Sequence, residues 1–307
     1  MTLLITSRYL GWAGLTRHIV MLVLCAAAGA ALAQGANQMR FTRLPNLVTD
    51  DPSIASMLQD RQGFVWLGAL NGGLYRYDGG QVVKFLNKPK DDKSLPGERV
   101  NTLFEDQTGH IWAGTTQGLA RFNPETSDFT RYVVSKEPGK HQVIRKIIAD
   151  GKGGMWLGTW GGLQHFDPAR GTFRRYLPQP GNPDAIRSDS VEALARDARG
   201  GVWIALYPTG LDYLPPGSDK FQHFRVDAAS QPDPVADKVE ALQMDAHNRL
   251  WIGTRGGAYR WTDGSAWDSR VRLPLTEMRI NNFFPAHDGG MWAATMNDGV
   301  LRWSATS

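Results

Sequence analysis

Short runs in which apolar and polar residues alternate recur along this chain, each about five residues long and each closed by Gly, Asn, Asp or Pro. Residues 98–133 show the unit most clearly. Val100-Asn101-Thr102-Leu103-Phe104 reads as a strand, Asp106-Gln107-Thr108-Gly109 as a turn, and His110-Ile111-Trp112-Ala113-Gly114-Thr115 as a second strand. After a Gln117-Gly118 turn come a third strand, Leu119-Ala120-Arg121-Phe122, an Asn123-Pro124 stop and a fourth strand, Phe129-Thr130-Arg131-Tyr132-Val133. Asp in such turns accepts hydrogen bonds from its own backbone and Gly permits positive φ, so the pattern predicts an antiparallel meander.

The unit occurs six times. Its anchoring tryptophans are Trp66, Trp112, Trp156, Trp203, Trp251 and Trp292, separated by 46, 44, 47, 48 and 41 residues. A period of about 40–50 residues built from four strand signals predicts an all-β propeller with six four-stranded blades. The turn Asp is Asp60, Asp106, Asp150, Asp197 and Asp245, with Ala286 in the sixth copy. The turn Gly is Gly63, Gly109, Gly153, Gly200 and Gly289, with Asn248 in the fifth. The third strand carries Tyr77, Phe122, Phe166, Trp261 and Trp303, with Leu214 in the fourth copy. These columns are expected to be scaffold, with the tryptophans packed between neighbouring blades. The sixth copy ends on a third strand, while Phe41-Thr42-Arg43-Leu44 resembles the fourth strands Phe129-Thr130-Arg131-Tyr132 and Phe173-Arg174-Arg175-Tyr176. Residues 41–44 are therefore expected to join the last blade and close the ring, so that no long edge is left open.

Composition adds a compartment. Arg8, Arg17 and His18 precede an apolar run from Ile19 to Ala33, and Ala31-Leu32-Ala33 is a small-residue cleavage pattern. The run has 15 residues, short of the roughly 20 a membrane helix needs. The expected organisation is a signal peptide over 1–33, cleaved near Ala33, a propeller over 41–303 and a tail at 304–307. The mature chain is expected in the periplasm or secreted, with no membrane span. Cys25, the single cysteine, lies in the leader, so the mature chain has no disulfide, thiolate metal site or cysteine nucleophile. Without Arg8 and Arg17 the chain has 32 Lys and Arg against 30 Asp and Glu, a balance that gives no case for nucleic acid as a partner.

The phrases Leu103 to Thr115 with Gly118 to Phe122, Asp60 to Tyr77, and Asp150 to Phe166 resemble two-component regulator propeller repeats. The resemblance extends over nearly all of residues 41–303. It implies an extracytoplasmic sensor. Members of that family commonly continue into a membrane span and a histidine kinase or diguanylate cyclase module. No such module occurs within residues 1–307, so the chain is expected to act as the sensor part without its own output module.

No catalytic motif stands out. None of His110, His141, His165, His223, His247 and His287 pairs at metal-ligand spacing, no calcium-loop pattern surrounds Asp50-Asp51 or Asp91-Asp92, and no nucleophile elbow or phosphate-binding glycine loop is present. No metal and no cofactor are expected. The alternative reading is a propeller lyase, similar to streptogramin B lyase or to a carbohydrate-active lyase, although no catalytic residue of those enzymes maps onto a motif here.

The meander places the Asp-x-x-Gly turns on one face of the ring and the loops joining strands two to three, and blade to blade, on the other. Four residues after each tryptophan the sequence varies: Leu70, Thr116, Trp160, Tyr207, Arg255 and Met296. A constant scaffold with variable loops at one face is a binding surface. The candidate ligand-binding residues are Asn71, Gln117, Trp160, Tyr207, Arg255 and Asn297, with Arg99 and Arg145 at the channel mouth. Trp and Tyr stack on a ring and Arg pairs with an acidic group. The expected partner is a small molecule, such as a carbohydrate, or a protein of a signalling pathway.

Overall fold

Each copy of the repeat becomes one twisted antiparallel sheet, because each has four short strands and three tight turns with no room for a crossover. In the computed structural model, residues 53–135, 139–208, 210–226, 238–262, 264–267, 270–273 and 278–304 are described, all within the unit Asn46–Ser307. Blade one is β1 (Ile54–Gln59), β2 (Val65–Ala69), β3 (Leu74–Tyr77) and β4 (Val82–Phe85). Blade two is β5 (Val100–Glu105), β6 (Ile111–Thr115), β7 (Gly118–Asn123) and β8 (Asp128–Tyr132). Blade three is β9 (Ile144–Ala149), β10 (Met155–Thr159), β11 (Gly162–Asp167) and β12 (Thr172–Tyr176). Blade four is β13 (Val191–Arg196), β14 (Val202–Leu206), β15 (Leu211–Leu214) and β16 (Gln222–Phe224). Blade five is β17 (Val239–Met244), β18 (Arg249–Thr254), β19 (Gly257–Thr262) and β20 (Val271–Arg272). Blade six holds β21 (Ile280–Pro285), β22 (Met291–Thr295) and β23 (Val300–Trp303) among the described residues. Strands follow chain order within every sheet, and the first strands of successive blades lie side by side along the inner wall. The fold is the six-bladed propeller the repeat predicts. The fourth strand of blade two runs one residue earlier than the sequence pattern, leaving Val133 outside it and 67% exposed. The expected closing strand, Phe41–Leu44, lies outside the described residues.

The phrase Asp-x-x-Gly-x-x-Trp has a simple physical meaning. Trp66, Trp112 and Trp251 donate their indole N–H to Oδ2 of Asp60, Asp106 and Asp245 at 2.7, 2.8 and 2.8 Å. The Oδ1 atoms of the same carboxylates accept backbone N–H groups of the turn: Gln62 and Phe64, Thr108 and His110, His247 and Arg249. One carboxylate thus ties the turn to the strand that follows it. Gly63, Gly109 and Asn248 close these turns at φ of 92°, 88° and 59°. In blade three His165 Nε2 takes the indole's place, 2.8 Å from Asp150 Oδ2, and in blade four the Tyr213 hydroxyl donates to Asp197 Oδ2 at 2.6 Å.

Neighbouring blades are joined by the tryptophans. Trp66 meets Phe122 at 4.9 Å between ring centroids, Trp112 meets Phe166 at 5.7 Å, Trp203 meets Trp261 at 5.2 Å and Trp251 meets Trp303 at 5.5 Å. In each case the second-strand indole of one blade packs on the third-strand aromatic of the next. Where the fourth copy has Leu214 instead, Trp156 has no such ring to meet, tilts against His165 and Tyr176 of its own blade, and is only partly buried. In four of the six copies the residue two after the tryptophan is Gly, which allows the close approach. A Cβ at Gly68, Gly114, Gly158 or Gly253 would come within 2.8, 2.7, 2.8 or 2.8 Å of Val100, Ile144, Val191 or Ile280, the first residue of the next inner strand.

These contacts make five apolar seams, one between each successive pair of blades. Among the described residues no such cluster joins blade six to blade one. Phe284 and Val300 of blade six occupy the positions of Phe104 and Leu119 in blade two, which are packed into a seam. Here they are 46% and 56% exposed.

The seam is expected to dominate stability. Trp112→Ala, at a fully buried position, should cost about 3–5 kcal/mol in urea unfolding, whereas Trp160→Ala on the rim should cost under about 1 kcal/mol. The turn carboxylates add a pH dependence. Burial pushes the Asp106 and Asp245 carboxyls up, but for Asp106 the Thr108 hydroxyl, the Trp112 indole and turn N–H groups outweigh it. For Asp245 the Trp251 indole and the backbone and side chain of Arg249 do the same, and both pKa values lie below the ordinary range. A depressed carboxylate contributes stability that is complete above its unfolded pKa, about 4, and is lost as pH falls below it. Asp245→Asn should therefore destabilise the chain at pH 7, and the difference from wild type should shrink when unfolding is measured at pH 3.

Candidate functional site

Every inner strand carries the same irregularity one residue from its start. The pairing of first and second strands slips between Ile54 and Ser56, Val100 and Thr102, Ile144 and Lys146, Val191 and Ala193, Val239 and Ala241, and Ile280 and Asn282. The residue skipped is Ala55, Asn101, Arg145, Glu192, Glu240 or Asn281. A bulge leaves one residue out of the ladder and re-aims its side chain. Five of these six residues are polar or charged, so the bulges set a polar ring at one end of the inner wall.

A second ring lies beside it. Leu70, Thr116, Trp160, Tyr207, Arg255 and Met296 donate their backbone N–H to the carbonyls of Ser53, Arg99, Val143, Ser190, Lys238 and Arg279 at 2.8–3.2 Å. Each acceptor immediately precedes its inner strand, so every variable loop residue is held next to the bulge of its own blade. The Thr that ends the second strand shapes the loop from within. Thr115, Thr159 and Thr254 donate Oγ1–H to Gly118, Gly162 and Gly257 carbonyls and accept the N–H of Gln117, Gly161 and Gly256. Constant residues thus make the loop, and the residue between them is free to vary.

Blades three to six converge on a cavity of about 410 Å³ at this end. It is lined by Arg145, Trp160, Ser190, Glu192, Leu206, Tyr207, Pro208, Lys238, Val239, Glu240, Arg255 and Arg279. Two carboxylates organise it. Glu192 Oε2 accepts from Arg145 Nε and Nη2, both at 2.9 Å, and Glu192 Oε1 accepts from the Trp160 indole at 2.9 Å. Arg145 lies 5.6 Å from the Trp160 ring centroid, in cation–π range. Glu240 Oε1 accepts from Arg255 Nε at 2.6 Å, and its Oε2 from Arg279 Nε at 2.5 Å. The hydrogen bond to Glu240, and then the fields of Glu240, Tyr207 and Glu192, raise Arg255 above its ordinary value against a smaller burial cost, so it stays charged. Trp160 and Tyr207 are 38% and 51% exposed. Part-exposed ion pairs of this kind contribute little to folding, typically about 1 kcal/mol or less. What they do is hold long side chains in one place.

Of the residues singled out from sequence, Arg145, Trp160, Tyr207 and Arg255 line the cavity together. Asn71, Arg99, Gln117 and Asn297 belong to blades one, two and six and are not part of its lining. Arg99 Nε donates to Asn101 Oδ1 at 3.2 Å, and the Gln117 N–H is turned inward onto Thr115 Oγ1. Glu192, Glu240, Lys238 and Arg279 escaped the sequence reading. The signal for Glu192 and Glu240 was a polar residue in second place on every inner strand but the first, the column to which Arg145 itself belongs; Lys238 and Arg279 directly precede their strands. No histidine lines the cavity, and no group of three metal-ligating side chains converges among the described residues.

A sequence model of the two component regulator propeller family matches residues 94–117. That span runs from the approach to β5 through the β6–β7 turn, so the match lies within the second copy of the repeat. No curated protein matches this chain in sequence. Among solved structures, the extracellular domain of a hybrid two component system from B. thetaiotaomicron is similar with a TM-score of 0.71 at 22% identity, over 87% of this chain and 35% of that one. A second such domain from the same organism gives 0.70 at 18%, over 85% and 33%. This chain therefore spans about a third of their length. Virginiamycin B lyase from Staphylococcus aureus gives 0.64 at 12%, over 84% of this chain and 86% of that enzyme. At these identities the likeness is one of fold.

Glu240 is expected to act as the clamp between Arg255 and Arg279. Glu240→Gln should lower stability by about 1 kcal/mol or less in urea unfolding, the range of a part-exposed ion pair, because the amide retains only one acceptor. A loss above 4 kcal/mol would show instead that the pair is part of the core.

Proposed function

Starting from its two-component regulator propeller repeat, we propose that this chain is the extracytoplasmic ligand-binding propeller of a signalling system. The observation that carries this reading is the convergence of three variable loop residues, Trp160, Tyr207 and Arg255, and three bulge residues, Arg145, Glu192 and Glu240, on one cavity. Variable residues placed at one mouth by a constant scaffold are how a repeat fold acquires a specific site. The apolar leader over residues 19–33 supports export, with cleavage near Ala33 and the propeller beginning near residue 41. The extracellular domains of hybrid two component systems that share this fold support a role in sensing, which this chain would fulfil by presenting bound ligand to another component of the pathway.

The lyase reading draws on the likeness in fold to virginiamycin B lyase. Its weakness is that the two carboxylates of the cavity are each clamped by arginine and no histidine stands beside them.

Thermal-shift screening of the purified chain against a small-molecule panel that includes oligosaccharides tests the proposal. Compounds that stabilise the wild type should lose that effect in Trp160→Ala and Arg255→Ala, and keep it in Gln62→Ala on the opposite, Asp-turn face. Stabilisation that persists in both rim variants would contradict a site at this mouth.

A further inference from the structure

The three arginines of the cavity present their guanidinium groups unequally. A guanidinium carries five N–H donors in a fixed plane. Arg255 and Arg279 each spend the Nε edge on Glu240, and neither has a terminal nitrogen bonded to another protein acceptor among the described residues. Arg145 spends Nε and Nη2 on Glu192. Glu240 therefore holds two guanidinium groups close together while neutralising one. Lys238, on the same wall, adds another positive charge. The lining has four cations to two carboxylates, and both carboxylates are already engaged, Glu192 by Arg145 and the Trp160 indole and Glu240 by Arg255 and Arg279. Bringing two arginines together in a concave, partly desolvated site is costly unless an anion arrives to share their donors. The rest of the lining has different chemistry: Trp160 and Tyr207 are partly exposed aromatic side chains, and Leu206 and Pro208 also line the cavity.

We propose that the cavity takes a small ring-bearing oxyanion. Its carboxylate or sulfate sits on the terminal nitrogens of Arg255 and Arg279 near Lys238, and its ring lies against Trp160 and Tyr207. The proposal rests on the reading that this cavity is the ligand site, and it adds the charge and shape of what enters. A neutral ring would satisfy the aromatic wall and leave the paired arginines without a counter-charge. A cationic ring would meet net positive charge. The volume of about 410 Å³ falls within the range of small-molecule sites, about 300–1,000 Å³. A ring-bearing oxyanion is met both as an acidic sugar and as an aromatic acid.

Isothermal titration of the purified chain with two pairs of probes separates these sources. One pair is digalacturonate and its neutral digalactose counterpart, the other 2-naphthoate and 2-naphthamide. In at least one pair the acid should bind about tenfold tighter or better than its neutral partner, the scale of one charge-assisted hydrogen bond. That preference should weaken with added salt and disappear in Arg279→Gln, which keeps an N–H donor for Glu240, with the melting curve confirming the fold. The pair that shows it identifies the sugar or the aromatic source. Equal binding of acid and neutral probes, a preference that survives Arg279→Gln, or no binding of either acid at about 10 mM would overturn the proposal. A neutral probe that binds as tightly as its acid and is lost in Trp160→Ala would overturn the oxyanion alone and leave the ligand site standing.

Discussion

The packing of four second-strand tryptophans on the third-strand aromatic of the next blade is the contact on which the rest of this molecule depends. A single four-stranded blade has two apolar faces and cannot bury either alone. The indole supplies the large buried surface that makes stacking favourable, and the Asp-turn carboxylate holds the ring in orientation in three of the six blades. In four blades a Gly two residues later removes the Cβ that would keep the next inner strand away. Three columns of the repeat are thus one device. The blade-three seam, where Leu214 stands in the aromatic position and Trp156 remains partly exposed, shows what happens when one part is missing.

That device also builds the site, though none of its residues enters it. Close packing of inner strands lines up their bulged ends, and the Thr after the Gly folds the second loop so that the following residue bonds back across the bulge. The result is two concentric rows whose backbones repeat and whose side chains do not. In blades three to five the rows hold arginine, glutamate, tryptophan and tyrosine. In blades one and two they hold Ala55, Leu70, Asn101 and Thr116, and the mouth there carries little charge. Chemistry is therefore concentrated on one side of the ring by side-chain choice alone.

Much of this was legible in the sequence because the repeat spacing encodes specific bonds. Asp to Trp at six residues is the indole–carboxylate bond, and Trp to Gly at two is the close approach. The variable column was visible because it fails to repeat, and Trp160, Tyr207 and Arg255 were found that way. Asn71, Gln117 and Asn297 lie one residue further along their loops. At that point the chain has begun to turn: the Gln117 N–H bonds inward to Thr115. The bulge column was not recognised, because Val191-Glu192-Ala193 and Val239-Glu240-Ala241 look like ordinary alternation. Only the register shows that Glu192 and Glu240 are left out of the ladder. Arg279 was missed for a related reason: it precedes a strand whose start is fixed by pairing, not by any apolar signal.

The most direct test is hydrogen exchange followed by mass spectrometry on the purified chain, with and without whichever of digalacturonate or 2-naphthoate binds. If the bulged mouth of blades three to six is the functional site, protection will appear in the loops around Trp160, Tyr207 and Arg255 and at the starts of β13 and β17. The Asp-turn face, residues 60–63, 106–109 and 245–248, will be unchanged. Protection confined to that opposite face, or none at the mouth, would contradict it.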